Sequence, residues 1–205
     1  PELEACPFFV RRGEEQKGRW HEWFPSRQPI HLELGCGKGR FAIGMAELHP
    51  DVNLIAVERE EGALIMAAER CEEHPLPNLR FVSFDAAELR EVFAPAEVDR
   101  IYLNFSDPWP KARHARRRLT SNEFFKLYDK VLTADGTVEF KTDNRPLFDF
   151  SVEELKTSEL FVLDQLSYDL HNDSKMNQGN IMTEYEAKFS SMGNPICKLL
   201  SLIHI

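Results

Sequence analysis

Apolar positions along the chain alternate between short runs and helical stripes. Ile30–Leu34 is an apolar run that stops at glycines, and Phe41, Ala42, Met45 and Leu48 behind it share one helical face. Residues 53–57 and 79–84 read as the next strands, separated by a helix carrying Leu64, Ala67, Ala68 and Cys71. Residues 98–105 read as a fourth strand. Thr120-Ser121-Asn122-Glu123 is a capping-box signature for a helix with Phe124, Leu127, Tyr128 and Val131 on one side. Asp135-Gly136 predicts a turn into a fifth strand at 137–141. Further strands at 161–166, near 185–189 and at 196–202 lie close together, which suggests an antiparallel finish. Residues 14–24, with Trp20 and Trp23, read as a short leading helix. The pattern predicts an α/β fold, a doubly wound Rossmann-like sheet that is mostly parallel. No repeat or linker divides the 205 residues, so one domain is expected, with residues 1–29 as an extension.

Ligands of such sheets sit beyond the carboxyl ends of the strands. The first strand runs into Glu33-Leu34-Gly35-Cys36-Gly37-Lys38-Gly39, where Gly35 and Gly37 let the backbone approach a ligand. Arg40 stands where a dinucleotide fingerprint needs its third glycine, which weakens a nicotinamide reading. The second strand ends in Glu58, placed to accept both hydroxyls of a ribose. The third ends in Asp85-Ala86, a carboxylate and an amide suited to an adenine edge. Glu33 is placed to meet an amino group. Three acids at three strand ends suit a cationic, ribose-bearing ligand without a pyrophosphate; each alone would also serve as a solvated loop residue or helix cap.

The fourth strand leads into Leu103-Asn104-Phe105-Ser106-Asp107-Pro108-Trp109-Pro110-Lys111. Two prolines stiffen this loop. Asp107 offers a carboxylate and Trp109 a flat face, together a clamp for a purine.

Composition changes this picture in one respect. With 42% hydrophobic and 29% charged residues the chain is that of an ordinary soluble protein, and its net charge of −9 speaks against a generally basic, nucleic-acid-binding surface. Yet Lys111, Arg113, Arg116, Arg117 and Arg118, with His114 among them, form a strip without an acid. Such a strip is either a solvated surface or a local phosphate contact with strong salt sensitivity. Cys6, Cys36, Cys71 and Cys197 are too far apart for a zinc motif or a disulfide framework, so no metal is expected. The opening Pro1-Glu2-Leu3-Glu4-Ala5 has no secretory pattern and no apolar run is long enough to span a bilayer, which together point to a cytoplasmic, non-membrane protein.

The sequence resembles the bacterial tRNA (guanine-N7)-methyltransferases, from about Lys17 to about Lys198. The residues carrying the resemblance are the glycine segment from Glu33 to Gly39, Ser106-Asp107-Pro108-Trp109-Pro110-Lys111, Lys141-Thr142-Asp143-Asn144 and Thr183-Glu184-Tyr185-Glu186. The glycine segment is shared by many methyltransferases; the second and fourth are specific to this family. The resemblance implies S-adenosylmethionine held at Glu33, Glu58, Asp85 and Asp107, with Gly35, Gly37, Ala86 and Asn104 around them. It implies substrate contacts at Lys111, Asp143, Thr183, Glu184, Tyr185 and Glu186, and an RNA-facing stretch from Arg113 through His114, Arg116 and Arg117 to Arg118. The implied target is the guanine at position 46 of the tRNA variable loop. The chain departs from the family at its acidic beginning and in its last residues, 199–205.

Guanine N7 loses no proton on methylation, so no general base is required. Asp107 is expected to orient the base and favour the positive charge the ring acquires. Asp143 and Glu186 are candidates for bonds to guanine N1 and N2, or else plain turn and strand-edge acids. Rival readings are an adenine-N6 methyltransferase, which would carry a second proline before the aromatic residue, a catalytically idle RNA-binding module, and a small-molecule methyltransferase.

Overall fold

The computed structural model describes residues 2–204. Eight strands form one sheet: β1 (Phe9–Val10), β2 (Ile30–Leu34), β3 (Asn53–Val57), β4 (Leu79–Val82), β5 (Val98–Asn104), β6 (Leu132–Thr142), β7 (Phe161–Ser167) and β8 (Cys197–Ile203). Their spatial order is β1-β4-β3-β2-β5-β6-β8-β7. The run from β1 to β6 is parallel, and β8 lies antiparallel between β6 and β7. All five residues of β3 are buried, as a strand covered on both faces requires. Seven α-helices are described: α1 (Glu2–Ala5), α2 (Arg40–Leu48), α3 (Glu61–Glu73), α4 (Leu89–Val92), α5 (Asn122–Val131), α6 (Arg145–Lys156) and α7 (Glu184–Ser191). One face of the sheet packs Phe41, Ala42, Leu64 and Cys71 from α2 and α3. The other packs Val92, Phe125, Tyr128 and Phe148 from α4, α5 and α6, with Trp20 stacked on Phe93. Among the described residues no helix is long and apolar enough to cross a membrane.

Several expectations are corrected. The leading helix is two short 3-10 turns, Gly13–Gln16 and Trp20–Trp23. Gly18 breaks it with φ +80°, and Glu97 accepts the freed amides of Gly18 and Trp20 at 2.9 and 3.2 Å. The strand expected near 185–189 is α7. Thr183 caps it by accepting from the Glu186 amide at 3.0 Å. Tyr185 and Phe189, spaced i and i+4, stack along that helix with centroids 6.2 Å apart, a helical period rather than alternation. The cap of α5 is Ser121, one residue later than the capping box placed it, and a capping box forms instead at Asp85 and Glu88. α6 was not expected, although Asn144 caps it at 2.9 Å with Pro146 in its first turn. β6 begins at Leu132, paired with Val98; Thr137 pairs with Arg100, so the Asp135-Gly136 segment bulges from the ladder instead of preceding the strand.

After β1 has formed the edge beside β4, the chain crosses to β2, winds outward through β3 to β4, then returns to the other side of β2 at β5. The crevice between the carboxyl ends of β2 and β5 is therefore the topological switch point.

Candidate active site

Two adjoining cavities open at that switch point. The larger, about 840 Å³, is lined by Glu33, the glycine turn, Glu58, Asn104, Ser106, Asp107 and the start of α7. The smaller, about 510 Å³, is lined by Glu58, Asp85, Ala86, Asp107, Trp109 and Arg117. Leu34, Gly35, Glu58 and Asp107 border both. Carboxylates from the ends of β3, β4 and β5 thus face one cleft. The glycine turn is open because Gly35 and Gly37 take φ of +81° and +54°. Gly39 permits close packing: a Cβ there would stand 2.8 Å from that of Ala67 on α3.

Glu58 is held by the turn it faces. Its Oε2 accepts from the Gly37 amide at 2.9 Å, and its Oε1 from the amides of Arg59 and Glu60 at 2.8 and 3.0 Å. Asp85 accepts from the Ala87 amide at 2.9 Å and from the Arg59 guanidinium at 2.6 Å. The Ala87 bond, helped by Arg59 and opposed by burial, holds its carboxyl below the usual range. The capping alternative for Asp85 is therefore real, and it coexists with a place on the cavity wall.

Glu33 differs. It is 1% exposed, and its Oε2 has no hydrogen-bond partner. Burial pushes its carboxyl up to about 8, partly offset by the neighbouring Asn104 amide and the charge of Lys141. Asn104 Nδ2 and Ser106 Oγ are also buried and unpartnered. Unpaired buried polar atoms are costly, and these three line one cavity. An acceptor for an ammonium, beside an amide and a hydroxyl able to donate to a carboxylate, fits the amino-acid end of S-adenosylmethionine. Cys36 lines the same cavity with its thiol pushed well up by burial, which makes it a small apolar wall and no nucleophile.

The loop after β5 is strained as well as proline-stiffened. Phe105 and Trp109 take φ of +53° and +42°, conformations that cost non-glycine residues roughly 1–3 kcal/mol each. Asp107 closes the turn by accepting from the Trp109 amide at 3.0 Å, yet remains exposed to the cleft. His114 meets the Trp109 ring edge-on at 5.6 Å, and the Arg117 guanidinium lies 5.0 Å from its centroid.

The remaining candidates divide. Thr183, Glu184 and Tyr185 line the larger cavity. Glu184 pairs with Arg70 at 2.6 Å, and Tyr185 stacks on Phe105 at 6.5 Å. Glu186 does not reach the cavity. It is fully buried, with one oxygen accepting from Lys141 Nζ at 2.6 Å and the other bonded to His171 Nε2 at 2.8 Å and Asn180 Nδ2 at 2.7 Å. Burial alone would raise its carboxyl; Lys141 foremost, then the bonds from His171 and Asn180, hold it below the usual range. A guanine edge has nowhere to meet it. Asp143 lines neither cleft cavity and accepts from Asn194 at 3.3 Å. Lys111, Arg113 and Arg116 are exposed, whereas Arg118 turns inward onto the loop.

Comparison with known proteins decides the family. The family described as "Putative methyltransferase" matches residues 27–199. A tRNA (guanine-N(7)-)-methyltransferase of Lachnoclostridium phytofermentans is 52% identical over 95% of this chain and 90% of its own. That of Brevibacillus brevis is 49% identical over 96% and 91%. The chain belongs to the tRNA (guanine-N7)-methyltransferase family.

Solved structures extend the likeness at the level of fold. The 16S rRNA methyltransferase KamB matches with a TM-score of 0.66 and 13% identity, covering 92% of this chain and 94% of that one. TrmN from Thermus thermophilus matches at 0.59 and 21%, covering 87% and 45%. In this family member, residue-by-residue reading left out Ser106, Arg59 and the Lys141 network. A lysine ending the apolar run 137–141 was the available signal for the last, since a buried strand end tolerates a charge only when it is paired.

Proposed function

We infer that the protein methylates N7 of a guanine in tRNA, at position 46 of the variable loop, with S-adenosylmethionine as donor. The observation that carries this reading is the convergence of Glu58, Asp85 and Asp107 on one cleft with Trp109, next to the unpartnered Glu33, Asn104 and Ser106. When bound, S-adenosylmethionine supplies a methyl group already activated by its sulfonium. Glu33 would take the ammonium, with Asn104 and Ser106 toward the carboxylate; Glu58 would take the ribose hydroxyls; Asp85 and the Ala86 amide would take the adenine edge. Asp107 borders both cavities, so its carboxylate would face the donor and the incoming purine alike.

Little acid–base chemistry is asked of the chain. The N7 lone pair would take the methyl group directly, the sulfonium leaving as a neutral thioether, with no proton for these residues to remove. Aligning the reactants contributes up to about 7–11 kcal/mol in favourable cases. The ring becomes cationic, and the Asp107 carboxylate favours that change in a partly desolvated cleft. Tyr185 lines the larger cavity and Trp109 the smaller, so each of the cavities that Asp107 borders carries an aromatic residue for the extruded base. Exposed Lys111, Arg113 and Arg116 serve the phosphate backbone.

The test is transfer of labelled methyl into unmodified tRNA followed by nucleoside analysis. Label should appear in 7-methylguanosine, at position 46, and Asp107→Ala should abolish most of it. Label in another nucleoside overturns the substrate; label unaffected by Asp107→Ala overturns the role of that carboxylate.

A further inference from the structure

The Asp-Pro-Trp loop has an anchoring problem that its own residues do not solve. Pro108 and Pro110 have no amide hydrogen, so the loop offers few backbone donors with which to hold itself. Trp109 between them is kept at positive φ, and its amide is already given to Asp107. What remains are the carbonyls of Pro108 and Trp109. Both are taken by one side chain. Arg118 Nε donates to Pro108 O at 3.0 Å and to Trp109 O at 3.3 Å, and its Nη2 donates to Trp109 O at 3.0 Å. The guanidinium lies 4.4 Å from the ring centroid of Phe150, a residue of α6 that packs against the core. Its backbone is fixed too: the Arg118 amide donates to Ala115 O at 3.2 Å, and its carbonyl accepts from the Ser121 amide at 3.0 Å, at the entrance to α5.

We propose that Arg118 is a positioning residue for the methyl-transfer reaction: it clamps the strained loop to α6 and so fixes the Asp107 carboxylate in the cleft, rather than binding tRNA. This rests on the reading of Asp107 given above. The basic strip then has two kinds of member. Arg113 and Arg116 point outward and are free for phosphate, while Arg118 is half-buried with its fork committed to carbonyls. The fork geometry matters: a lysine has one point charge and cannot bridge two successive carbonyls while lying flat on Phe150.

Five variants separate the roles: Arg118→Met, Arg118→Lys, Arg118→Ala, Arg116→Met and Asp107→Ala. Single-turnover methyl transfer is measured at saturating tRNA and donor, alongside tRNA affinity across a salt series. Arg118→Met should slow transfer roughly tenfold to a hundredfold, with tRNA affinity and its salt slope unchanged, and Arg118→Lys should restore little. Ethylguanidinium added to Arg118→Ala should recover part of the rate. Arg116→Met should do the reverse, weakening binding and flattening the slope by about one. A loss of salt slope in Arg118→Met, with the saturated rate intact, overturns the proposal. Loop order is read independently from 5-fluorotryptophan spectra, where the Trp109 resonance is the one missing in Trp109→Phe. It should shift or broaden in Arg118→Met, and an unmoved resonance overturns the clamp. If Asp107→Ala transfers methyl normally while Arg118→Met is slow and its Trp109 resonance moves, the clamp stands and the reading of Asp107 falls.

Discussion

Two fully buried glutamates, one on each side of the site, have opposite electrostatic fates. In the wall of the larger cavity, Glu33 has an oxygen without a partner, and burial pushes its carboxyl up to about 8. On the α7 side, Glu186 has Lys141, His171 and Asn180 around it and stays below the usual carboxylate range. Burial is common to both; partners are not. A buried acid whose bonds are complete holds structure together. One whose bonds are incomplete waits for a ligand that completes them. Glu186, through Lys141, ties the end of β6 to the segment before α7, because Lys141 Nζ also donates to Asn180 Oδ1 and Ile181 O at 2.9 and 2.8 Å. That segment delivers Thr183, Glu184 and Tyr185 to the cavity.

The comparison is most sharply broken by removing each acid. Glu186→Ala leaves the Lys141 ammonium buried without its counter-charge and should cost about 3–5 kcal/mol, lowering the melting temperature by about 10 °C for a chain of this size. A melting temperature within a degree of the parent would mean that Glu186 is not the structural member of the pair. Glu33→Gln should fold well but bind S-adenosylhomocysteine, which has the same amino-acid end, about ten- to a hundredfold more weakly by calorimetry, the loss of one bond to a charged group.

Proton linkage separates the two acids more finely. The folded-state carboxyl of Glu33 lies above its unfolded value, so its contribution to stability is full below about pH 4.5 and is lost as pH rises through about 8. Glu186, lowered, contributes above its unfolded value and loses that contribution as pH falls. Glu33→Gln should therefore gain on the parent in denaturant midpoint between pH 5 and pH 9, and Glu186→Gln should close on the parent as the solution is acidified. Near pH 7 donor binding should release close to one proton from Glu33, read as a dependence of calorimetric enthalpy on buffer ionisation; an enthalpy independent of buffer would remove Glu33 from the ammonium site. The smallest expected effect is at the surface. Breaking the Arg59 pair to Asp85 with Arg59→Met should change stability by less than about 1 kcal/mol, both partners being largely exposed.

Much of the cleft was legible along the chain because its residues follow strand ends. Glu33, Glu58, Asp85 and Asp107 each sit within a few positions of a recognisable apolar run, and the doubly wound topology sends every such end to the same edge. The α7 region was not legible. Residues 184–191 are mostly polar, and about two turns of helix carry a single i, i+4 aromatic pair, too little period to distinguish the segment from a strand. Glu186 looked like a substrate contact because it belongs to a family motif, and a motif does not say which of its members faces the cavity. In the same way Arg118 belonged to a run of like charges, and only its distance to the Pro108 and Trp109 carbonyls sets it apart from Arg116.

The sequence by itself determined the alternation of strands and helices, the glycine turn, the acids behind each strand and the family. Those depend on periodicity and local backbone preference, which are properties of neighbouring residues. Tertiary structure alone decided which charges are satisfied: that Lys141 completes Glu186, that Arg118 turns inward, and that Glu33 is left with an open bond. Whether a buried polar atom has a partner depends on which residues packing sets beside it, from the 10 positions between Arg118 and Pro108 to the 45 between Lys141 and Glu186, and no local pattern encodes that meeting.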